Sequence, residues 1–407
     1  MKFCFIVPYY NEQSNGIRVL YQAALLFSQC AKNTSMKIYD SHAEKIIHHP
    51  NLNRVPSKFH NLISNKIEFS FDFIYVLPET PKKLPKNLPK EVKIVRYLLA
   101  NPFFFNNSSV NYKDQFLLAY SYLISKKLPQ LYINAFPDFP KIKRSKSKYD
   151  KALIYFGKFR LTQDFQAFSY VNEILCKFKE VEIIHRGYPK IHKDYLKKLN
   201  EVSLLISYDG LSSVNHEASL MGIKVVLVDD LFIKKSFNIK LYNIFSLDEM
   251  RRKKLTLSQL PLKNYTNYNT SKLMVINTIK MIVDFFNSKK RDQYNHLFEK
   301  ELENLKIFAQ ENFPNNVISF NGSHKLPLLI LFQFDKEIYN KIMDSLGKKK
   351  SKKIKIIFAF LLTFKFLKIR ILSYLSDLVH FYILYKLKPK SFIIQFNNYC
   401  LEKAHSL

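Results

Sequence analysis

The polar stretch SYDGLSSVNHEASLMGIKVV, at residues 207–226, lies between two apolar runs. It holds two of the seven glycines of a 407-residue chain. A serine pair before a helix exposes hydroxyls and free backbone N–H groups at the positive end of the helix dipole, where phosphate binds readily. A glycine permits a sharp turn and close backbone approach. The carboxylate of a glutamate one turn into the helix can accept hydrogen bonds from a pair of hydroxyl groups on a ribose or a sugar. The candidate ligand-binding residues are Tyr208, Asp209, Gly210, Ser212, Ser213 and Glu217.

Cationic side chains follow two other apolar runs. Lys158 and Arg160 come after Ala152–Phe156, and Arg186 comes after Val181–Ile184. Cations placed in this way can neutralise a diphosphate leaving group as its charge develops. Arg160 is the weaker candidate, because basic residues at strand ends are often solvated.

These candidates need a sheet that brings them together, and the second half of the chain alternates between strand and helix patterns. A repeated β–α pattern with short strands predicts a parallel sheet with helices on both faces. Ligands bind such sheets beyond the carboxyl ends of the strands, so we expect the candidates to meet in one crevice. The predicted strands are Ala152–Phe156, Val181–Ile184, Leu204–Ser207 and Lys224–Val228, and the predicted helices are Gln163–Phe178, Lys190–Asn200 and Ser213–Met221.

The first half begins with a strand, a loop and a helix. The apolar run Phe3–Pro8 precedes the polar loop YYNEQSNG, and apolar residues at helical spacing predict a helix over Ile17–Gln29. This order is typical of the start of a doubly wound α/β sheet. Further strands are predicted at Met36–Tyr39, Phe71–Leu77, Val92–Leu98 and Leu131–Asn134, before the basic link KIKRSKSKYDK.

Structural roles are an open alternative for several candidates. A serine before a helix most often only caps it, and a glutamate in the first turns commonly complements the helix dipole. The case for a ligand site therefore depends on the coincidence of several candidates in one crevice.

The segment SYDGLSSVNHEASLMGIKVVLVDD also resembles the donor-site segment of GT-B glycosyltransferases, especially those of bacterial surface-polysaccharide loci. Those enzymes have a Ser or Thr at a helix start and a Glu-Ala pair before a small-residue helix end. Four other stretches agree in order over roughly residues 1–285, namely SNGIRVLYQAALLF, IVRYLLANPFFF, ALIYFGKFR and HRGYPK.

The resemblance implies an α/β protein with two Rossmann-like domains facing across a cleft. The second domain would hold most of a nucleotide-sugar donor, the first would bind a glycan acceptor, and no essential metal would be needed. The acceptor could be lipid-linked, a lipopolysaccharide core, an O-antigen or a capsular glycan. The predicted organisation is an acceptor domain at 1–145, a donor domain at 146–285, a helical segment at 286–347 that packs back on the body, and a basic helical tail at 348–407.

The chain departs from the usual pattern of these enzymes at two places. Retaining members have two glutamates with seven residues between them, and Asp209 stands where the first would fall, so retention and inversion both stay open. The first-domain loop has Gly16 where a glycine pair is usual, although Gly16 remains a candidate phosphate contact. An inverting enzyme would need a general base, for which Glu12 and Asp40 are the candidates by position.

The formal net charge of +31 favours anionic partners, and part of it lies near the C-terminus. Lys348–Lys390 carries twelve Lys or Arg and one acidic residue, interleaved with apolar and aromatic residues. No uncharged run there reaches the roughly 20 residues that span a membrane, so a helix lying in the membrane interface is expected. The alternative is a basic helical pair packed on the body.

A rival hypothesis is a non-catalytic nucleic-acid-binding or membrane-scaffold protein with an α/β body. The sequence has no helix-turn-helix, zinc or RRM-like signature, so we expect no nucleic-acid partner. Four scattered cysteines show no metal or disulfide spacing, and MKFCFIVPYYNEQ lacks the apolar span of a signal peptide. We therefore expect a cytoplasmic protein, peripheral on the inner face of the membrane.

Overall fold

The computed structural model describes a large part of the chain. The described residues are 2–12, 14–31, 33–40, 43–47, 52, 55–64, 69–79, 84–103, 112–121, 124–133, 151–155, 166–184, 189, 191–210, 212–228, 243–261, 271–287, 291–312 and 336–345. The predicted tail at 348–407 and the basic link before residue 151 lie outside them.

The first sheet has six strands in the order β3-β2-β1-β4-β5-β6, all parallel except the edge strand β3. Its helix α1 follows β1 and begins after the N-cap Ser14, whose side chain accepts from the Ile17 N–H. The strands are β1 (Lys2–Val7), β2 (Thr34–Asp40), β3 (Lys45–Ile47), β4 (Phe73–Pro78), β5 (Lys93–Leu98) and β6 (Phe116–Ala119), and α1 is Asn15–Cys30.

The second sheet has five strands in the order β11-β10-β9-β7-β8, and every pair is parallel. The helices between them begin at the same edge, where the strands end. The strands are β7 (Lys151–Tyr155), β8 (Glu180–Ile184), β9 (Leu204–Ser207), β10 (Lys224–Leu227) and β11 (Ile244–Ser246), and the helices are α2 (Gln166–Leu175), α3 (His192–Asn200), α4 (Ser213–Leu220) and α5 (Leu247–Arg252).

Both sheets are buried on their two faces, as the nearly continuous apolar strands require. In the second sheet α2 and α5 cover one face, and α3 and α4 cover the other. In the first sheet α1 covers one face, whereas the described cover of the other face comes from loop residues such as Leu84 and Leu88.

Three further helices return to the sheets after residue 270. Helix α6 (Lys272–Asn287) and helix α7 (Arg291–Asn312) place Val275, Phe285 and Phe298 in the core of the first sheet, although most of α6 falls within the predicted range 146–285. Helix α8 (Lys336–Ser345) then packs on the second sheet through Ile338 and Ile342. The chain therefore crosses between the two sheets more than once.

Most predicted strands and helices are present, with one exception in the first sheet. The predicted strand at Leu131–Asn134 is wrong in its described part, because Gln130 makes a single isolated bridge to Ala119 and no strand follows it. Pro129 precedes this bridge and has no N–H to continue a ladder. The sixth strand is instead β6, whose four residues are buried.

The second sheet contains a buried ionic cluster at its edge strand β8. The Glu182 carboxylate receives hydrogen bonds from Lys198, and from Lys151 at 2.9 Å. Burial alone would raise the pKa of Glu182, but the hydrogen bonds and charges of the two lysines outweigh it and lower that pKa.

We predict that Glu182→Gln lowers the free energy of unfolding by about 2 kcal/mol at neutral pH, since hydrogen bonds to charged groups contribute on this scale. A carboxylate with a lowered folded-state pKa stabilises above its unfolded pKa of about 4.3 and loses that effect as pH falls through the folded value. The free energies of unfolding of the native protein and of Glu182→Gln, measured with urea, should therefore become equal in acid. Glu180→Gln, at an exposed carboxylate 3.7 Å from Lys151, is the matched control. An equal loss in both variants, or a gap that persists at pH 3, would contradict the prediction.

No helix in the described ranges has the length and apolar composition needed to cross a membrane.

Candidate functional site

The strand order reverses at one point in each sheet. In the first sheet this point lies between β1 and β4, and in the second between β7 and β9. Open α/β sheets bind ligands in the crevice at such a switch point, outside the carboxyl ends of the strands. The loops at these points are residues 8–14, which lead from β1 into α1, and residues 208–212, which lead from β9 into α4.

Ser212 fixes the start of α4 at the second switch point. Its hydroxyl accepts from the Val214 N–H at 3.3 Å and donates to the Tyr155 hydroxyl at 3.2 Å. Tyr155 is the last residue of β7, so one serine ties together the ends of the two strands that flank the switch point. Ser213, half-buried, is the first residue of α4 and follows that cap.

The loop before Ser212 is held mainly through its backbone. The Ser207 hydroxyl donates to the Asp209 carbonyl at 3.2 Å, and the Asn215 side-chain amide donates to the same carbonyl at 2.7 Å. Asp209 and Tyr208 are both buried, and burial raises the pKa of the Tyr208 phenol. Gly210 lies half-buried in the turn that follows. This geometry gives the loop a fixed shape.

The second glycine of the stretch ends α4. Gly222 has a φ of 70°, in the left-handed region, and the Ile223 N–H donates to the Ala218 carbonyl at 2.9 Å. This six-to-one hydrogen bond past a left-handed glycine is the Schellman motif. Gly222 is therefore explained by helix termination and needs no ligand.

Glu217 lies one turn into α4 and is 2% exposed. Its Oε1 atom is 2.9 Å from Nη2 of Arg18, which belongs to α1 on the first sheet and is 6% exposed. Its Oε2 atom is 3.2 Å from Nε2 of His192, the first residue of α3. Glu217 therefore joins helices that follow strands of both sheets.

His192 and Glu12 add two further contacts to this junction. Nη1 of Arg18 is 2.7 Å from Nε2 of His192, and the His192 backbone N–H donates to Oε1 of Glu12 at 3.2 Å. Glu12 belongs to the loop after β1, so it contacts the start of a helix on the second sheet. The starts of α1, α3 and α4 thus meet through three side chains, which we call the Arg18–His192–Glu217 bridge.

The side chains of the bridge are mostly buried, with Arg18 6% and Glu217 2% exposed. Burial lowers the pKa of Arg18, and the adjacent Glu217 partly offsets that effect. Burial also raises the pKa of Tyr195 well above its ordinary value, with Glu217 contributing in the same direction. Burial lowers the pKa of His216, against the opposing effect of Glu217. The charges of Arg18 and Glu217 therefore interact strongly with each other in this setting.

Sequence reasoning did not identify Arg18 or His192 as site residues. Arg18 carried a signal, because it is the one charged residue in α1, NGIRVLYQAALLFSQC, and lies on the apolar side of that helix. A long-range partner for such a charge is expected, since buried charges are paired. His192 comes two residues after the end of HRGYPK and has no comparable signal.

A cleft of about 440 Å³ opens beside the bridge at the carboxyl ends of β1 and β2. Asp40, at the end of β2, is near it and accepts from the Ala43 N–H at 3.2 Å. Burial and the charge of Asp40 raise the pKa of Tyr9, which is 38% exposed. The cleft is lined by Pro8, Tyr9, Tyr10, Asn11, Glu12, Ile17 and Tyr39. Aromatic rings beside carboxylates suit a polyhydroxylated ring, which presents C–H faces and hydroxyl donors.

Gly16 has a packing role at the start of α1. A Cβ atom at this position would lie 3.3 Å from Cδ1 of Leu99, directly after β5. The absence of a side chain lets the helix approach the first sheet closely at its carboxyl edge.

The three predicted cations, Lys158, Arg160 and Arg186, lie outside the described residues. The strands that precede them, β7 and β8, are parallel neighbours and end at the same edge as β9. Among the residues with described positions, no group of three or more His, Cys, Asp or Glu side chains could hold a metal ion.

No protein-family model and no curated protein sequence matches the chain significantly. Among solved structures, an alpha-glucosyltransferase in complex with UDP and a 13-mer DNA containing an HMU base is similar over 76% of this chain and 95% of that one, with 11% identity and a TM-score of 0.33. AviGT4, a glycosyltransferase involved in avilamycin A biosynthesis, is similar over 75% and 98%, with 10% identity and a TM-score of 0.33. Similarity at this level determines neither family nor function.

Proposed function

We propose that this protein is a glycosyltransferase that moves a sugar from a nucleotide diphosphate donor to a glycan acceptor. The proposal rests on one observation above the others. The helices at the switch points of the two sheets meet through the 2.9 Å pair of Arg18 and Glu217. The carboxyl edges of the two sheets thereby face each other, and since sheets of this kind bind ligands at that edge, the arrangement suits transfer between two substrates.

The second sheet would hold the donor. Ser212 and Ser213 lie at the start of α4, where backbone N–H groups and the helix dipole favour phosphate. Lys158 and Arg186 would stabilise the diphosphate leaving group, with Arg160 as a further cation. Glu217 would accept from a hydroxyl pair of the ribose or the donor sugar. The sequence resemblance to GT-B enzymes supports the same assignment and implies that no essential metal takes part.

The first sheet would hold the acceptor in the tyrosine-lined cleft. Glu12 lines this cleft and Asp40 lies near it, and an inverting enzyme would need a general base there. The acceptor would be a lipid-linked, lipopolysaccharide or capsular glycan. The basic tail at 348–407 would hold the enzyme on the anionic inner face of the cytoplasmic membrane.

We predict that UDP, GDP or CMP stabilises the protein against heat. A ligand at a hundred times its Kd adds about 2.7 kcal/mol to the free energy of unfolding. Lys158→Ala and Ser213→Ala should each reduce the shift, whereas Lys253→Ala, at an exposed side chain directly after α5, should not. Differential scanning fluorimetry measures the shifts, and release of free nucleotide from a nucleotide-sugar panel identifies the donor. A protein that binds DNA tightly and ignores every nucleotide would instead be the non-catalytic binding protein of the rival hypothesis.

A further inference from the structure

Arg18 holds an unusual place for a charged residue. It is the one charge in α1, it is 6% exposed, and its guanidinium reaches across to the second sheet. Burying a guanidinium is costly unless an anion and further acceptors surround it. In this structure Glu217 supplies the anion at 2.9 Å, and Nδ1 of His192 lies 3.2 Å from Nη1 of Arg18, where it can accept while Nε2–H donates to Glu217.

The position of this guanidinium relates it to the start of α4. Glu217 is four residues after Ser213, which corresponds to about 6 Å along a helix. Arg18 is in direct contact with Glu217, so its donor groups lie about one turn from the proposed phosphate site. A planar guanidinium with several N–H donors fits phosphate oxygens well.

Both oxygens of Glu217 are engaged, Oε1 by Arg18 and Oε2 by His192. A hydroxyl pair that binds Glu217 must therefore replace at least one of these donors. If the hydroxyl pair displaces Arg18 from Glu217, the guanidinium charge stays in the same buried crevice. It then needs another anion as a partner. The diphosphate of the same ligand would supply that anion.

We propose that Arg18 is a phosphate-binding residue supplied by the first sheet, and that Glu217 holds it in place until a nucleotide arrives. This inference rests on the proposed function and deepens it. The nucleoside hydroxyls take over Glu217, and the released guanidinium turns to the diphosphate. No charge is left without a partner, and the nucleotide joins the two sheets.

The exchange predicts opposite effects on two ligands. A nucleoside without phosphates breaks the Arg18–Glu217 pair and gives Arg18 no anion, so the native protein discriminates against it. Removing the guanidinium frees Glu217 and removes the phosphate contact. Arg18→Met should thus weaken nucleoside diphosphate binding about 10- to 100-fold, the scale of a lost hydrogen bond to a charged group. Nucleoside binding should stay unchanged or become tighter.

Isothermal titration of the full chain with UDP and uridine, GDP and guanosine, and CDP and cytidine tests this. Arg18→Lys keeps the charge without the planar fork, so it should lower the ratio of diphosphate to nucleoside affinity by a smaller factor. If Arg18→Met does not fold, Arg18→Lys alone tests the inference through the same affinity ratio. Arg252→Met, at an exposed residue of α5, is the control and should change neither affinity.

Three results would overturn the inference. An equal loss for diphosphate and nucleoside in Arg18→Met would mean that Arg18 only supports the fold. An unchanged ratio in both Arg18 variants would mean that Arg18 does not contact phosphate. Failure of the native protein to bind any of the six ligands would remove the proposed function itself, and the inference with it.

Discussion

Glu217→Ala is expected to lower the free energy of unfolding by about 3–5 kcal/mol, since removing one partner of a buried pair leaves the other charge uncompensated. The carboxylate is 2% exposed and the Arg18 guanidinium that it neutralises is 6% exposed. His192 cannot replace the carboxylate, because it offers no negative charge. Urea unfolding followed by far-ultraviolet circular dichroism measures the loss.

A double variant shows whether the loss comes from the stranded charge. Arg18→Met combined with Glu217→Ala removes both charges, and its loss should be smaller than that of Glu217→Ala alone. A cost below about 1 kcal/mol for Glu217→Ala is the range of exposed ion pairs. That result would show that the two sheets stand apart in solution, with both side chains hydrated, and would contradict the closed junction.

The pattern of the sequence was sufficient to predict most of the two sheets. Strands such as Leu204–Ser207 are short apolar runs bounded by turn residues, and the chain order of strand and helix requires parallel pairing. The N-cap at Ser212 followed from its position before a helical pattern. These features are local, so a single sequence contains them.

The bridge between the sheets depends on contacts that no local pattern records. Arg18 and Glu217 are 199 positions apart, and Arg18 and His192 are 174 apart. Their pairing follows from where two separately folded edges meet. The prediction placed Glu217 in a crevice and gave it a ligand, but it could not show that a guanidinium from the other sheet already occupies its carboxylate.

The return of the chain to the first sheet was predictable only in part. A helical segment was expected at 286–347, and α7, at Arg291–Asn312, lies within that range. Helix α6 had no separate prediction, because KLMVINTIKMIVDFFN is apolar on several sides and its partner is distant in sequence. The core contacts of α6 lead to the second prediction with a large expected loss of stability.

Phe285→Ala is expected to lower the free energy of unfolding by about 3–5 kcal/mol, the usual cost of deleting a buried aromatic ring. Phe285 is 0% exposed, and its ring lies 5.4 Å from that of Phe116 on β6 and 5.9 Å from that of Phe298 on α7. Removing it leaves a cavity where a strand and two helices meet. The chain has no tryptophan, so tyrosine fluorescence and circular dichroism are the probes for urea unfolding.

Leu273→Ala on the same helix is the matched control for this cavity. Leu273 is 65% exposed, so its truncation should change stability by less than about 0.5 kcal/mol, as at most surface positions. Because the described core contacts of α6 are with the first sheet, Phe285→Ala should leave Ile338 and Ile342 of α8 as protected from hydrogen exchange as before, while exchange in β6 speeds up. Equal losses at Phe285 and Leu273, or faster exchange confined to the second sheet, would show that α6 does not belong to the core of the first.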